Sequence, residues 1–119
     1  MKRGSDRFDD LFHYFGPIAV KRMFGGEGIF AGDLMIGLVV DDQIYLKTSD
    51  KTRGDFETEG AKPFKYRRGK ERNAISLSYY TVPERLLNDP EEFGQWARKA
   101  HDVALAARAA KPPKRRTRK

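Results

Sequence analysis

Few side chains in this sequence have the types and spacing that catalysis or metal binding asks for. The two histidines, His13 and His101, stand far apart. A zinc centre takes three or four ligands, commonly at short helical or loop spacings, and neither histidine is flanked by such a set. Both read as helix-surface residues. Asp41 and Asp42 could form a carboxylate pair for acid–base or metal work. Neighbours on a strand point to opposite faces, however, and these two fall between apolar runs where a hairpin should turn. Ser76 and Ser78 share a strand face, with no sequence cue for a base or an oxyanion-hole donor. Cysteine is absent, which removes disulfides, thiolate metal sites and cysteine nucleophiles and fits a cytoplasmic address. The expectation is a protein that is not an enzyme and carries no metal or cofactor.

The glycines of "FGGEG" pose a sharper question. Gly25, Gly26 and Gly28 follow a basic, apolar run, as the glycines of a phosphate-cradling loop would. A dinucleotide fingerprint needs a strand, then the glycines, then a helix whose N-terminal amides meet the pyrophosphate. Here the glycines lead into "IFA" and "LMIGLVV", which read as strands, no G-K-[ST] follows, and Glu27 would repel phosphate. Glycine also permits positive φ where one strand turns back or bulges into the next. The three glycines read as a structural bend.

Positive charge is the remaining candidate for function. The formal net charge is +7, from 24 basic and 17 acidic residues. The final nine residues, "KPPKRRTRK", hold six of the basic ones: Lys111, Lys114, Arg115, Arg116, Arg118 and Lys119. Twenty-four less these six leaves 18 basic against 17 acidic, so the rest of the chain is nearly neutral. A Pro-containing tail without apolar residues cannot bury enough surface to offset its ordering entropy, and residues 111–119 read as disordered. A second basic segment, "KPFKYRRGKER", carries Lys62, Lys65, Arg67, Arg68, Lys70 and Arg72. Alternation there turns Phe64 and Tyr66 to the core and the basic residues to water. Such an edge resists strand-to-strand aggregation. Together with the tail it could also grip nucleic acid phosphates without sequence preference, aided by Tyr45 and Tyr80 if those rings face outward.

The elements that position these residues are legible from periodicity. Phe8, Leu11, Phe12 and Phe15 recur at helical spacing over residues 5–15, and Gly16-Pro17 ends the run. Strands follow: "VKRMF", "GIFA", "LMIGLVV" and "QIYLKT", with short turn-like connectors. Leu34–Val40 is apolar on both faces and reads as a central strand covered on both sides. Ser49 caps a short helix ending at Gly60. The strands "PFKYRR" and "AISLSYYTV" come next, and in the latter Ile75, Leu77 and Tyr79 alternate with Ser76, Ser78 and Tyr80. After "PERLL", Asp89, Pro90 and Glu92 mark the start of a long helix with a capping box. Its apolar stripe includes Phe93 and Trp96, with Gly94 on the outer face. The fold class is α+β: a mainly antiparallel sheet of five or six strands with an N-terminal helix, a short mid-chain helix and a long C-terminal helix packed on it. Residues 1–110 form one domain. No run approaches the ~20 apolar residues of a membrane span, and the N-terminus has no signal-peptide core.

Several blocks in order carry a resemblance: "RMFGGEGIF", "DDQIYLKT", "PFKY", "ISLSYYTVPERLL" and "DPEEFGQWARKA". Over residues 8–107 the chain resembles the N-terminal domain of the TfoX/Sxy family of bacterial competence regulators. The resemblance implies a compact α+β domain, a role in transcriptional regulation without catalysis, and a protein partner, with the transcription machinery the natural candidate. Full-length members resemble two-domain proteins with a second, helical domain. Here the blocks give way to the basic tail after Ala110, so the resemblance implies a stand-alone N-terminal domain.

Overall fold

A computed structural model describes residues 8–23, 26–68 and 72–110, without side-chain detail for 66–68 and 72–77. Six strands, β1 (Ala19–Met23), β2 (Gly26–Ala31), β3 (Leu34–Val40), β4 (Gln43–Lys47), β5 (Pro63–Arg68) and β6 (Arg72–Thr81), form one sheet. Their order is β1-β2-β3-β4-β6-β5, and every neighbouring pair is antiparallel. A short helix α1 (Arg53–Thr58) joins β4 to β5, and a 3₁₀ turn at Glu84–Asn88 leads into the long helix α2 (Pro90–Ala110). The fold is the α+β arrangement expected from the sequence.

Local chemistry explains the connections. Between β3 and β4 the pair Val40↔Gln43 leaves Asp41 and Asp42 alone in the turn, with φ of 52° and 64°. This is the mirror-image two-residue turn that matches strand twist. Helix α1 starts four residues later than Ser49. Ser49 instead closes the preceding turn, its N–H donating to Thr52 Oγ1 at 3.0 Å and its carbonyl accepting from the Thr52 N–H at 3.1 Å. The helix ends at Thr58 and is closed off at Gly60, φ 83°, where the Gly60 and Ala61 amides donate back to the Glu57 and Phe56 carbonyls. At the start of α2 the Glu92 N–H donates to Asp89 Oδ1 at 3.2 Å. The reciprocal half of the capping box is not made: the Asp89 N–H donates to the Leu86 carbonyl, and the Glu92 carboxylate turns elsewhere.

One side of the sheet carries the core. Ile29, Ile36, Leu46 and Tyr80 meet Phe93, Trp96, Ala97 and Ala100 of α2, all buried. A register shift at Ile29/Phe30 leaves Ile36 as the extra residue of a bulge, so it joins the core beside Gly37 rather than alternating away. Residues 8–15 form a run of turns rather than a regular α-helix. The Phe12 amide donates to Phe8, the His13 amide to Asp10, and the Phe15 and Gly16 amides both donate to Phe12. A segment this short has little helical stability of its own. Packing sets its shape, with the Phe12 ring edge-on to Phe93 at 4.9 Å. The segment crosses α2 at Gly94, which is therefore buried beneath Tyr14 and not on the outer face.

Candidate interaction surface

Cross-strand partners share a face of the sheet, so the register assigns every strand residue to one side. Gly28, Leu38 and Tyr45 lie on the side away from α2, as do Phe30 with Met35 and Lys47 with Tyr79. Among the described residues no helix lies across that side. Met23, Phe30, Met35, Leu38, Val40, Tyr45, Phe64 and Tyr79 are each only half-buried. The partial exposure of these apolar side chains makes this side of the sheet the candidate interaction surface.

The surface has two halves of different chemistry. Across β1–β3 it is aliphatic and sulfur-rich. The Met23 and Met35 sulfurs and the Phe30 ring converge over Gly28, where an added Cβ would stand 2.7, 3.0 and 2.9 Å from them. Lys21 Nζ sits 4.7 Å from the centre of the Phe30 ring. Methionine adapts its shape to varied partners, and the absence of a side chain at Gly28 lets two of them fill the sheet surface. Across β4, β6 and β5 the face is aromatic and cationic. Tyr45 and Phe64 pack edge to face at 5.0 Å, and Lys47 Nζ lies 5.0 Å from the Tyr79 ring centre. Burial pushes the Tyr45 phenol above its ordinary value, with Asp41 adding in the same direction. Burial alone does so for Tyr79.

Several expectations change on this geometry. Strand β3 is central in the sheet, but α2 covers only one of its sides, and Met35, Leu38 and Val40 face the open side. Phe64 does not enter the core; it joins Tyr45 on the open face. Tyr45 is outward as required for stacking, but Tyr80 is buried, and its hydroxyl donates to Glu57 Oε2 at 2.6 Å. Burial first, and Glu57 beside it, raise the Tyr80 phenol above its ordinary value. The exchange of Tyr79 and Tyr80 follows from the ladders: Tyr80 pairs with core-facing Leu46 and Tyr79 with Lys47. Composition alone could not phase that strand. Hydrophobic residues on both faces of β2–β4 were the available sign of the open face, and they read equally well as a doubly covered strand.

The glycine bend also resolves differently. Gly26 and Gly28 lie in β2 without positive φ, and Gly25 lies outside the described residues. At Gly26 an added Cβ would stand 2.5 Å from the Val39 carbonyl oxygen, so its role is close approach of two strands. Trp96 is buried in α2, 8% exposed, its ring edge-on to Phe56 at 4.8 Å. Of the basic residues, Lys62 and Lys65 are exposed. Lys62 is tied to β6 through its N–H, which donates to Thr81 Oγ1 at 3.0 Å. Arg67, Arg68 and Arg72 sit at the far end of the β5–β6 ladder, in the pairs Arg67↔Asn73 and Arg68↔Arg72. Lys70 and all six tail residues from Lys111 to Lys119 lie outside the described residues.

His13 and His101 are separate. His13 packs edge-on to Tyr14 and His101 to Phe15. Among the described residues no group of three or more His, Cys, Asp or Glu is placed to hold a metal ion. A groove of about 600 Å³ runs between the C-terminal half of α2 and the end of β4, with Lys47, Thr48, Ser78, Val103 and Ala107 in its walls. The Lys99–Asp55 ion pair, 3.1 Å, joins α2 to α1 at this groove. No described helix is long and apolar enough to cross a membrane.

These features define a small α+β domain with a six-stranded antiparallel sheet, the described helices on one face and half-buried apolar residues on the other. Residues 10–104 match the TfoX N-terminal domain family, and the chain belongs to that family. It is similar to the DNA transformation protein TfoX1 of Aliivibrio fischeri, with 30% identity over 84 residues. That match covers 71% of this chain and 39% of the relative, so the shared region is well under half the relative's length.

Proposed function

We propose that this chain is a non-enzymatic regulatory module that docks a protein partner of the transcription machinery on the aliphatic half of its open sheet face. The observation carrying this reading is the cluster of Met23, Phe30, Met35 and Leu38, half-buried on the side of the sheet that no described helix covers. Such a surface combines apolar area with adaptable side chains, the composition of a protein-recognition patch. The family and the relative named for DNA transformation support a role in the regulation of competence.

Two lysines in place of Met35 and Leu38 test it. Introduced at the native locus, Met35→Lys with Leu38→Lys is expected to leave the folded protein at its normal level while reproducing the transcript profile of a deletion strain. A deletion strain whose transcripts match those of the parent overturns the regulatory reading. A double variant that folds and behaves as the parent does overturns the docking face.

A further inference from the structure

We propose that the aromatic half of the open face binds single-stranded nucleic acid, its bases stacked on Tyr45, Phe64 and Tyr79 and its phosphates running past Lys47 to Lys62. The inference shares with the proposed function only the openness of this sheet face, and it uses other residues.

Three half-buried rings lie together on β4, β5 and β6, two of them in contact at 5.0 Å. The third carries the Lys47 ammonium at 5.0 Å from its centre, so one patch presents stacking surface and positive charge together. Lys62 stands exposed just before β5, the sheet's edge strand, opposite Thr81, which pairs with Tyr45 on the open face. Every base offers a π-face to such rings irrespective of sequence.

Charge selects among the possible occupants. The described residues assigned to the open side include Lys21 and Lys47 and no carboxylate; Asp41, the acid whose charge acts on the Tyr45 phenol, lies in the β3–β4 turn. A second copy laid on this face would bring lysines against lysines with no counter-charge. A polyanion whose flat groups can reach the rings satisfies both features. Asp41 at one end sets the polarity, and the phosphate chain runs away from it toward Lys47. Duplex DNA keeps its bases stacked inside and offers the rings nothing, so this strip distinguishes single strands from duplex. Two lysine contacts give a slope of roughly −1.4 in log K against log salt, at about −0.7 per contact on single strands.

The test is fluorescence anisotropy with the full chain, a labelled 15-nucleotide oligothymidine and a labelled 15-base-pair duplex, in 50 and 200 mM salt. At the higher salt the single strand should bind roughly tenfold tighter than the duplex. Tyr45→Leu with Tyr79→Leu should weaken the single strand by roughly tenfold or more and leave the duplex unchanged. Tyr79→Phe, which keeps the ring, should bind within about threefold of the parent. Lys47→Gln, a milder change for use if the double variant does not fold, should lower single-strand affinity and flatten its salt slope. The Met35→Lys, Leu38→Lys variant should keep single-strand binding, which separates this outcome from that of the regulatory reading. Equal affinity for both nucleic acids at 200 mM salt, a folded Tyr45→Leu, Tyr79→Leu variant that binds as the parent does, or an unchanged Lys47→Gln variant overturns the proposal. So does saturable binding of an acidic peptide in preference to the oligothymidine.

Discussion

Gly94 of α2 lies beneath Tyr14, so that a Cβ at position 94 would stand 2.9 Å from the Tyr14 Cβ and 3.3 Å from its carbonyl carbon. The contact explains a glycine in the second turn of a long helix, where it costs about 1 kcal/mol relative to alanine. Neither opposing atom is the far end of a flexible side chain. Arg98 of α2 holds the same segment, its Nη2 donating to the Tyr14 carbonyl at 3.2 Å. Gly94→Ala should therefore lower stability despite its better helix propensity. Overpacking at such a site costs about 1–3 kcal/mol, offset in part by the propensity gain. A melting temperature that rises in Gly94→Ala would refute the close crossing of residues 8–15 over α2.

The glycines of β2 predict a contrast between near neighbours. At Gly26 the obstacle is the Val39 carbonyl oxygen, 2.5 Å from an added Cβ, together with Val40 Cγ2 at 2.8 Å. At Gly28 it is mainly two methionine sulfurs and the edge of a phenylalanine ring. Backbone in the middle of a sheet cannot move aside, whereas methionine side chains on an open face can. Gly26→Ala should cost about 2 kcal/mol or more, and Gly28→Ala under about 1 kcal/mol. Chemical denaturation of the two variants measures both. Equal losses would contradict this division of roles.

The mirror-image turn at Asp41-Asp42 gives a stabilising substitution. Both residues hold positive φ, a region that costs a non-glycine residue roughly 1–2 kcal/mol, with aspartate among the more tolerant. Asp42→Gly creates the favoured Asp-Gly pair. After the greater entropy of glycine in the unfolded chain is deducted, it should gain about 0.5–1 kcal/mol, a rise of a few degrees in melting temperature. Asp42→Val, with a branched side chain unsuited to positive φ, should lower it. The opposite order would show that this turn is not the one described.

How much of this was legible in the sequence depends on which signal each residue carried. Strands β2, β3 and β4 and the start of α2 could be placed because apolar runs, turn pairs and the Asp89-Pro90 cap are local features. The open face could not, because apolar residues on both sides of β3 fit a doubly covered strand as well as one with an exposed binding side. The phase of Tyr79 and Tyr80 also escaped, since it is fixed by pairing with β4, over thirty positions away in the chain. Gly94 was misplaced for a related reason: the helix pattern shows which side meets the sheet, but not what crosses it from the N-terminus. Glu92 was legible as a cap residue, yet its carboxylate serves a different partner.

That partner is Arg85, whose guanidinium gathers two carboxylates and so ties the 3₁₀ turn to both helices. Its Nε and Nη2 donate to Glu59 at 3.0 and 2.7 Å, and its Nη1 and Nη2 donate to Glu92, both at 2.9 Å. The Trp96 indole N–H adds a bond to Glu92 at 3.2 Å. Hydrogen bonding to Arg85 is the main cause that holds both carboxyls below the ordinary value of 4.5, and for Glu92 the indole bond is next. A carboxyl whose pKa is lower folded than unfolded contributes stability that is complete above its unfolded value. That contribution is lost as pH falls through the folded value. Arg85→Gln removes the cause of both shifts, so its melting temperature should lie below the parent's at neutral pH. The gap should narrow as pH falls below the ordinary value of 4.5 and through the lowered folded values. Half-molar salt should narrow the gap at neutral pH, because these groups are exposed to solvent and screened. Melting curves for both chains decide the matter: a gap that stays constant from pH 7 to pH 3 would show that Arg85 acts through packing of its aliphatic stem rather than through its two carboxylates.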